Sequence, residues 1–463
     1  MTLPGFVSDY LKKCRYESSH ALSPGEDSLQ GILQAVVIPV LAERGHLFST
    51  LASLAGNAPD MLERTLVICV VNNRPCPYTS AEAIENNQRT LEILRELGRG
   101  RIPHFEEGEG FLIEDCRRIL QGRLRLVYLD ASSPGRELPL KQGGVGLARK
   151  IGLDAALSVM DFNGPDHGLL LCLDADSPVD RNYLSAVRRF YEGRNMGAAV
   201  VAYAHPLPAN PKLLAAIVRY ELYLRYYVLG LEFAGSPYAF HTIGSTMSCT
   251  VRSYSAVRGM NRREAGEDFY FLNKLAKLSP VGTISGTRVY PSPRVSRRVP
   301  FGTGQRMKSS LEGTDREDIF YDPRIFRILK SWLKGMKTII SNGGDFTLRM
   351  AEEISPVLPC FLERTQFPDV WAKICRTHRS PEKRHEHFSE WFDGFRTMKL
   401  VHHLSDNALP ACPVGRALPL LLEWMEHPLE EAWQAKRDGY DPGLEVQIEI
   451  LQNLRNYEFQ GEK

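Results

Sequence analysis

Apolar runs, each about the length of one strand, recur along the first half of the chain and alternate with amphipathic segments. Continuous apolar runs of this length are typical of strands that are buried on both faces of a parallel sheet. Apolar positions three and four residues apart predict helices between them. The alternation predicts an α/β fold, with a mostly parallel sheet flanked by helices. The predicted strands cover residues 34–40, 66–71, 124–130, 169–173 and 198–203, and helices are predicted near 46–54, 80–97, 143–160 and 180–192.

The pattern changes after residue 304, where β-branched runs almost vanish and helical stripes such as Leu329, Leu333, Met336 and Ile340 begin. We place a domain boundary near Arg306. Residues 1–305 then form the α/β domain, with its core starting at about residue 34, and residues 306–463 form a mainly helical region. The helical stripes are typical of core packing. They are also candidates for shaping an acceptor site or a homodimer contact.

Composition excludes several classes of function. The chain has 463 residues and a formal net charge of +2, so it carries no strong field for nucleic acid or for a membrane surface. It contains no uncharged apolar run long enough to span a membrane, and its first residues lack the apolar core of a secretory signal. Nine cysteines without a Cys-X-X-Cys pair fit reduced thiols. We expect a cytoplasmic protein without an integral membrane segment or a nucleic-acid partner.

Two carboxylates follow the fourth predicted strand. Asp174 and Asp176 are separated by one residue at the end of an apolar run. Side chains two apart on a strand point the same way, so the two carboxylates are expected to converge just beyond the strand. Converging carboxylates call for a positive partner, and a divalent cation such as Mg²⁺ or Mn²⁺ prefers such oxygen ligands. The alternative is a polar turn in which Asp174 caps the next segment.

Further polar features occur at comparable places along the chain. Each has a simpler alternative: a helix start that favours carboxylates, a solvated strand edge for arginines, a flexible turn for glycines, or turn-forming asparagines. The features are Pro39 and Glu43 after the first strand, Asn72 and Asn73 after the second, the glycine-led helix with Arg149, the pair Glu267 and Asp268 at a helix start, and the basic loop with Arg294, Arg297 and Arg298.

In this order the motifs resemble the nucleotide-sugar-dependent glycosyltransferases of family 2, which have the GT-A fold. Residues 39–43 match the family's Pro-X-X-(Asn/Ala)-Glu turn, and residues 146–153 match its Gly…Ala-Arg/Lys…Gly-Leu helix. Asp-Ala-Asp at 174–176 and Glu-Asp at 267–268 match its two acidic motifs. The resemblance covers about residues 34–305. It departs at residues 72–75, where Asn-Asn-Arg-Pro replaces the usual Asp-Asp-Gly-Ser, and the Gln-X-X-Arg-Trp motif of processive synthases is absent.

The resemblance implies transfer of a hexose from a nucleoside-diphosphate sugar to a hydroxyl acceptor. It implies that Asp176, aided by Asp174, holds Mg²⁺ or Mn²⁺ against the diphosphate, and that Asp268 is the general base of an inverting reaction. Glu267 would orient the acceptor. The donor would be bound by Pro39, Glu43, Asn72, Asn73, Arg149, Asp174, Arg294, Arg297 and Arg298. Two alternatives stay open: a sugar-phosphate nucleotidyltransferase, and a GT-A binding protein that has lost catalysis.

Overall fold

The structure is a computed structural model that describes residues 3–17, 20–23, 29–105, 108–162, 168–295, 302–312, 320–427 and 442–460. The predicted arginines Arg297 and Arg298 lie outside the described residues. Over the described part of the chain, the strands are β1 (Leu22–Ser23), β2 (Gln34–Val40), β3 (Thr65–Asn72), β4 (Arg125–Ala131), β5 (Leu169–Cys172), β6 (Ala198–Tyr203), β7 (Met247–Thr250) and β8 (Val281–Val289).

Helices account for most of the remaining structure. They are α1 (Gly5–Lys13), α2 (Arg44–Ala55), α3 (Pro59–Leu62), α4 (Ala81–Gly98), α5 (Gly110–Gln121), α6 (Val145–Val159), α7 (Tyr183–Tyr191), α8 (Pro211–Phe233), α9 (Val251–Ala256), α10 (Glu267–Leu275), α11 (Thr303–Leu311), α12 (Arg324–Asn342), α13 (Leu348–Ile354), α14 (Leu358–Arg364), α15 (Phe367–Thr377), α16 (Pro381–Trp391), α17 (Gly394–Asn407), α18 (Val414–Trp424) and α19 (Leu444–Gln460).

The eight described strands form one mixed sheet in the order β1-β4-β3-β2-β5-β7-β6-β8. Neighbouring strands pair in parallel from β4 through β3 and β2 to β5, and again between β6 and β8. Strand β7 runs antiparallel to both β5 and β6, and β1 runs antiparallel to β4. The predicted class, a mostly parallel α/β sheet followed by a mainly helical C-terminal region, is confirmed. All five predicted strands are present.

The two faces of the sheet are covered in different ways. On one face, apolar residues of β2 and β3 pack with those of α2, α4, α5 and α7 in one buried cluster. On the other face, α6 lies directly against the sheet. A Cβ on Gly152 would lie 2.4 Å from Cγ1 of Val37 and 2.9 Å from Cγ2 of Val70. A larger residue at position 152 would therefore push α6 away from β2 and β3.

The chain divides into two compact units. The first comprises Met1–Leu207, Thr242–Gln305 and Tyr457–Lys463, and the second comprises Pro208–His241 and Arg306–Asn456. The sequence did not predict that helix α8 would belong with the C-terminal helices. Helix α8 lies within the first 305 residues but belongs to the second unit. The division into domains at Arg306 stays a prediction.

The second unit has an aromatic core and a buried ionic group. Trp332 on α12 is 2% exposed and packs against the rings of Phe346, Phe367 and Phe388. On the same helix, Leu329, Met336 and Ile340 of the predicted stripe are buried and Leu333 is half-buried, as core packing predicts. On α8, buried Glu221 accepts hydrogen bonds from Arg225 at 2.7 Å and from Arg455 at 2.6 Å, so its charge is paired.

Candidate active site

The candidate site lies in the first unit, where the parallel strands end. Strands β2, β3 and β5 end at Val40, Asn72 and Cys172, and the register sets Val40 against Val71 and Val37 against Cys172. Ligands of open α/β sheets bind beyond the carboxyl ends of the strands. The loops that leave this edge carry the polar residues singled out from the sequence.

Strand β5 ends before the acidic pair begins. The strand's last residue is Cys172, and the backbone then turns, with Ser177 N donating to Asp174 O at 3.2 Å. The alternation of side chains along a strand therefore does not govern Asp174 and Asp176. In the structure each carboxylate meets a different guanidinium group: Asp174 pairs with Arg149 and Asp176 pairs with Arg294.

Arg149 is the partner of Asp174. It stands in the second turn of α6 and is 2% exposed, with Nη2 2.5 Å from Oδ1 of Asp174. Its Nη1 donates to Oε1 of Glu267. Burial opposes the charge on Arg149, but the two carboxylates outweigh burial and raise its pKa. Arg149 is thus a fixed cation that joins the Asp-Ala-Asp turn to the Glu-Asp pair.

Close backbone contacts hold Arg149 in place. A Cβ on Gly244, in the short turn before β7, would lie 2.5 Å from Nη2 of Arg149. At the start of α6, a Cβ on Gly144 would lie 2.6 Å from Cα of Glu264, and one on Gly146 would lie 2.4 Å from the carbonyl oxygen of Asn261. The glycines before Arg149 therefore let α6 begin directly against residues 261–264, which lead into Glu267. Gly144 and Gly146 therefore serve close packing, and not only the flexible turn that was the alternative explanation for these glycines.

Glu267 and Asp268 begin α10, after Gly266 in a left-handed conformation. Burial raises the pKa of Glu267 to about 7, although Arg149 pulls it down. Burial likewise raises the pKa of Asp268 against the opposing influence of Arg149. Glu267 is 3% exposed, whereas Asp268 is half-buried and its Oδ1 accepts from Phe269 N at 2.7 Å. Only Asp268 of this pair has surface open to a ligand.

Arg294 is the partner of Asp176. Its Nε donates to Oδ2 of Asp176 at 2.7 Å, and its Nη2 donates to Oε1 of Glu43. Glu43 is 4% exposed and immediately precedes α2. Burial opposes the charge of Arg294, but Asp176 and Glu43 outweigh it and raise the pKa of the guanidinium. The early glutamate turn, the Asp-Ala-Asp turn and the basic loop thus meet through one side chain, a link that the sequence did not reveal.

Asn72 and Asn73 are engaged within the protein. Nδ2 of Asn72 donates to Val70 O at 2.9 Å. Oδ1 of Asn73 accepts from Nδ2 of Asn87 at 3.0 Å and from the hydroxyl of Ser132. Asn73 is 2% exposed. The two side chains therefore stabilise the edge where β3 and β4 end, and nucleotide binding by Asn72 and Asn73 stays a prediction. Pro39, within β2, pairs in register with Val70.

Asn87 is a site-supporting residue that the sequence reasoning missed. It stands on α4 with 0% exposure, one and two turns before buried Leu91 and Leu94. A lone amide at helical spacing on an apolar face is the signal that could have found it, because a buried amide needs hydrogen-bond partners. Its Nδ2 also donates to Asn72 O at 3.0 Å.

The donor set of the site suits a hard cation. Among the described residues, its carboxylates belong to Glu43, Asp174, Asp176, Glu267 and Asp268, and its guanidinium groups to Arg149 and Arg294, which together carry a charge of minus three when all are ionised. Carboxylate oxygens are the ligands that Mg²⁺ and Mn²⁺ prefer. No group of three or more His, Cys, Asp and Glu side chains among the described residues is arranged to hold a metal ion by itself.

No family model matches the chain, and no curated protein sequence matches it. Among solved structures, S. aureus TarS 1-349 in complex with UDP-GlcNAc is 14% identical, with 91% of this chain and 92% of that chain covered and a TM-score of 0.34. The mannosyltransferase PcManGT from Pyrobaculum calidifontis in complex with GDP-Man and Mn²⁺ is 13% identical, with coverages of 96% and 92% and a TM-score of 0.35. M. tuberculosis glucosyl-3-phosphoglycerate synthase is 12% identical, with coverages of 64% and 85% and a TM-score of 0.30.

Among the described residues, no helix is long and apolar enough to cross a membrane.

Proposed function

We propose that this chain is a GT-A-type glycosyltransferase that moves a sugar, a hexose in its simplest form, from a nucleoside-diphosphate sugar to a hydroxyl acceptor. One observation carries the proposal. Three acidic motifs that are far apart in sequence meet at the carboxyl edge of one sheet, joined by two arginines. A polar turn after a strand would not require this convergence. A site for a charged ligand would.

The charge of the site supports a divalent cation. Among the described residues of the site, five carboxyl groups stand against two guanidinium groups, so a diphosphate would bring further negative charge to a site where acidic groups already outnumber basic ones. We assign Asp176, with Asp174 beside it, to hold Mg²⁺ or Mn²⁺ together with diphosphate oxygens. When bound there, the cation supplies Lewis-acid stabilisation of the charge that develops on the leaving diphosphate.

The two arginines have different parts in the proposal. Arg149 is enclosed by Asp174, Glu267 and the backbone of Gly244, so it orients Asp174 and stays in place. Arg294 has 26% of its side chain exposed. It is therefore the guanidinium that can donate to diphosphate oxygens as the leaving group departs.

Asp268 is the proposed general base. It is half-buried, and burial raises the pKa of its carboxyl group, which makes its carboxylate a stronger base for an acceptor hydroxyl than a solvated aspartate. In-line attack assisted by this base inverts the anomeric carbon. Glu267 is enclosed with Arg149, so we propose that it acts by positioning Arg149. The resemblance implied that Glu267 orients the acceptor, but this proposal does not require Glu267 to contact the acceptor.

The remaining predicted donor residues shape the nucleotide side of the site. Asn73 is held by Asn87 and Ser132 at the end of β3, and Glu43 is held by Arg294 before α2. We propose that Pro39 near the end of β2, Asn72 at the end of β3 and Asn73 directly after it form the walls against which the nucleoside lies. The base and the sugar are then selected by surfaces beyond these buried amides.

The test is a panel of UDP- and GDP-sugars incubated with the full chain and either Mn²⁺ or Mg²⁺, with release of nucleoside diphosphate as the readout. The proposal expects release with at least one donor, lost on chelation of the metal and lost in Asp176→Ala. Pyrophosphate release from a sugar 1-phosphate and a nucleoside triphosphate would instead indicate a nucleotidyltransferase. Thermal stabilisation by a nucleotide sugar without any release, across a panel of hydroxyl acceptors, would indicate a binding protein.

A further inference from the structure

Two of the proposed donor-binding groups occupy each other. Nε of Arg294 lies 2.7 Å from Oδ2 of Asp176, the carboxylate that we assign to the cation. The side chain of Asp176 is 19% exposed, and that of Arg294 is 26% exposed. Access of a cation to Asp176 from solvent therefore depends on whether the Arg294 side chain stays bonded to that carboxylate.

We propose that Arg294 and a divalent cation compete for Asp176, so that Arg294 suppresses cation binding in the free protein and is released to the diphosphate when donor and cation arrive together. This inference rests on the proposed function for its second half. Its first half, the competition, concerns only this chain and a metal ion.

The competition follows from charge. A guanidinium bonded to a carboxylate neutralises it and repels a second positive ion at the same oxygens. A ligand that needs a particular state of the protein binds more weakly in proportion to how seldom that state is populated. If Arg294 occupies Asp176 in about nine molecules of ten, the apparent affinity for a cation falls about tenfold.

Glu43 gives Arg294 a second place to stay. Its side chain is 6% exposed and accepts from Nη2 of Arg294, a different nitrogen of the guanidinium from the Nε that meets Asp176. Arg294 can therefore give up Asp176 and keep one carboxylate partner beside the site. The guanidinium stays close enough to serve the diphosphate, because Glu43 and Asp176 are held by the same side chain.

The other bridging arginine is built differently. Arg149 also joins two carboxylates, but it is 2% exposed and the backbone of Gly244 closes over it. Movement of Arg149 would leave Glu267 buried without its partner. The structure thus pairs one fixed arginine with one exchangeable arginine.

The experiment measures Mn²⁺ binding by calorimetry and by electron paramagnetic resonance, without any nucleotide, to the full chain, to Arg294→Ala and to Arg294→Gln. Arg294→Gln keeps a donor for Asp176 and guards against misfolding of the smaller variant. The control is Arg189→Ala, which removes one positive charge from an exposed position on α7. We expect both Arg294 variants to bind Mn²⁺ about tenfold more tightly than the wild type, and Arg189→Ala to match the wild type.

A second measurement titrates UDP and GDP at saturating Mn²⁺. Here we expect a loss of affinity in place of a gain. The Arg294 variants should bind the preferred nucleotide about tenfold more weakly, because a charge-assisted bond to phosphate is lost. Unchanged or weaker Mn²⁺ binding in folded Arg294→Gln overturns the competition, and unchanged nucleotide affinity overturns the release to phosphate. If no nucleotide binds even the wild type, the proposed function fails, while the Mn²⁺ comparison still decides the competition.

Discussion

Removing the charge of Arg149 is the perturbation with the most clearly defined consequence. In Arg149→Met, the length of the side chain is kept, and Glu267 is left without its cation at 5% side-chain exposure. Breaking a buried ion pair by removing one partner typically destabilises a protein by about 3–5 kcal/mol. Asp174 has 37% of its side chain exposed, so solvent screens its loss and we assign it little of this effect.

The loss depends on pH in a direction fixed by Glu267. In the wild type, burial raises the pKa of Glu267 from 4.5 to about 7, so the folded protein holds this proton more tightly than the unfolded chain. Its contribution to stability is complete below pH 4.5 and declines as the pH rises to 7, by at most about 3 kcal/mol. Without Arg149, which lowers this pKa, the decline extends to higher pH. Arg149→Met is therefore more destabilised, relative to the wild type, at pH 8 than at pH 5.5.

The assay must report on the first unit. All five tryptophans lie in residues 306–456, so their fluorescence follows the second unit. Native-state hydrogen exchange of peptides from β2 and β3 measures the opening free energy of the sheet itself. Arg149→Met, Glu267→Gln and the double variant form one cycle, with Arg189→Met as the control for loss of a surface charge. The double variant should be less destabilised than Arg149→Met, because no unpaired carboxylate is left behind.

Two results would refute this reasoning. The first is a change in opening free energy below about 1 kcal/mol for Arg149→Met at pH 8, since that is the range of exposed pairs. The second is an equal loss at pH 5.5 and pH 8, which would mean that Glu267 does not titrate against Arg149.

Two further predictions concern the same site. Asp268→Asn should leave nucleotide affinity unchanged, measured by calorimetry, and reduce turnover by about a hundredfold or more, measured by steady-state rates. The fall of the wild-type rate at low pH should also disappear in this variant, because the base no longer titrates. Normal turnover would remove Asp268 from its role. Gly244→Ala should lower the opening free energy of the sheet by about 1–3 kcal/mol, because its Cβ would meet Nη2 of Arg149 at 2.5 Å. The matched control is Gly286→Ala, where the new Cβ meets nothing within 4 Å, and this variant should change the opening free energy little. Equal effects of the two substitutions would contradict the close contact.

Much of the fold could be predicted because its signals are local. The runs that form β2, β3 and β5 are mainly apolar, and they are buried along their whole length except at half-buried Pro39 in β2. Strand β7 was missed because its sequence, Met-Ser-Cys-Thr, is only four residues long and contains no apolar run. Helix α8 was also missed. Its place among the C-terminal helices could not be predicted, because no local pattern in a sequence states which distant helix will cover an apolar face.

The candidate site shows the same division. Each acidic motif could be predicted from its place after a strand or at a helix start. The pairing of Arg294 with Glu43 spans most of the α/β domain and has no local signature. The asparagines at the end of β3 were predicted as ligands because an amide after a strand suits either role, and only the positions of Asn87 and Ser132 show that Asn73 already has protein partners.

The central claim is that the carboxylates at the sheet edge hold a cation that in turn holds a diphosphate. Calorimetric titration of UDP and GDP into the wild type and Asp176→Ala, each with and without Mn²⁺, tests it most directly. The account predicts that the wild type binds one of the two nucleotides at least about tenfold more tightly with Mn²⁺ present, and that Asp176→Ala shows no such gain. Nucleotide binding that is equally tight with and without Mn²⁺, or a gain that survives in Asp176→Ala, would contradict it.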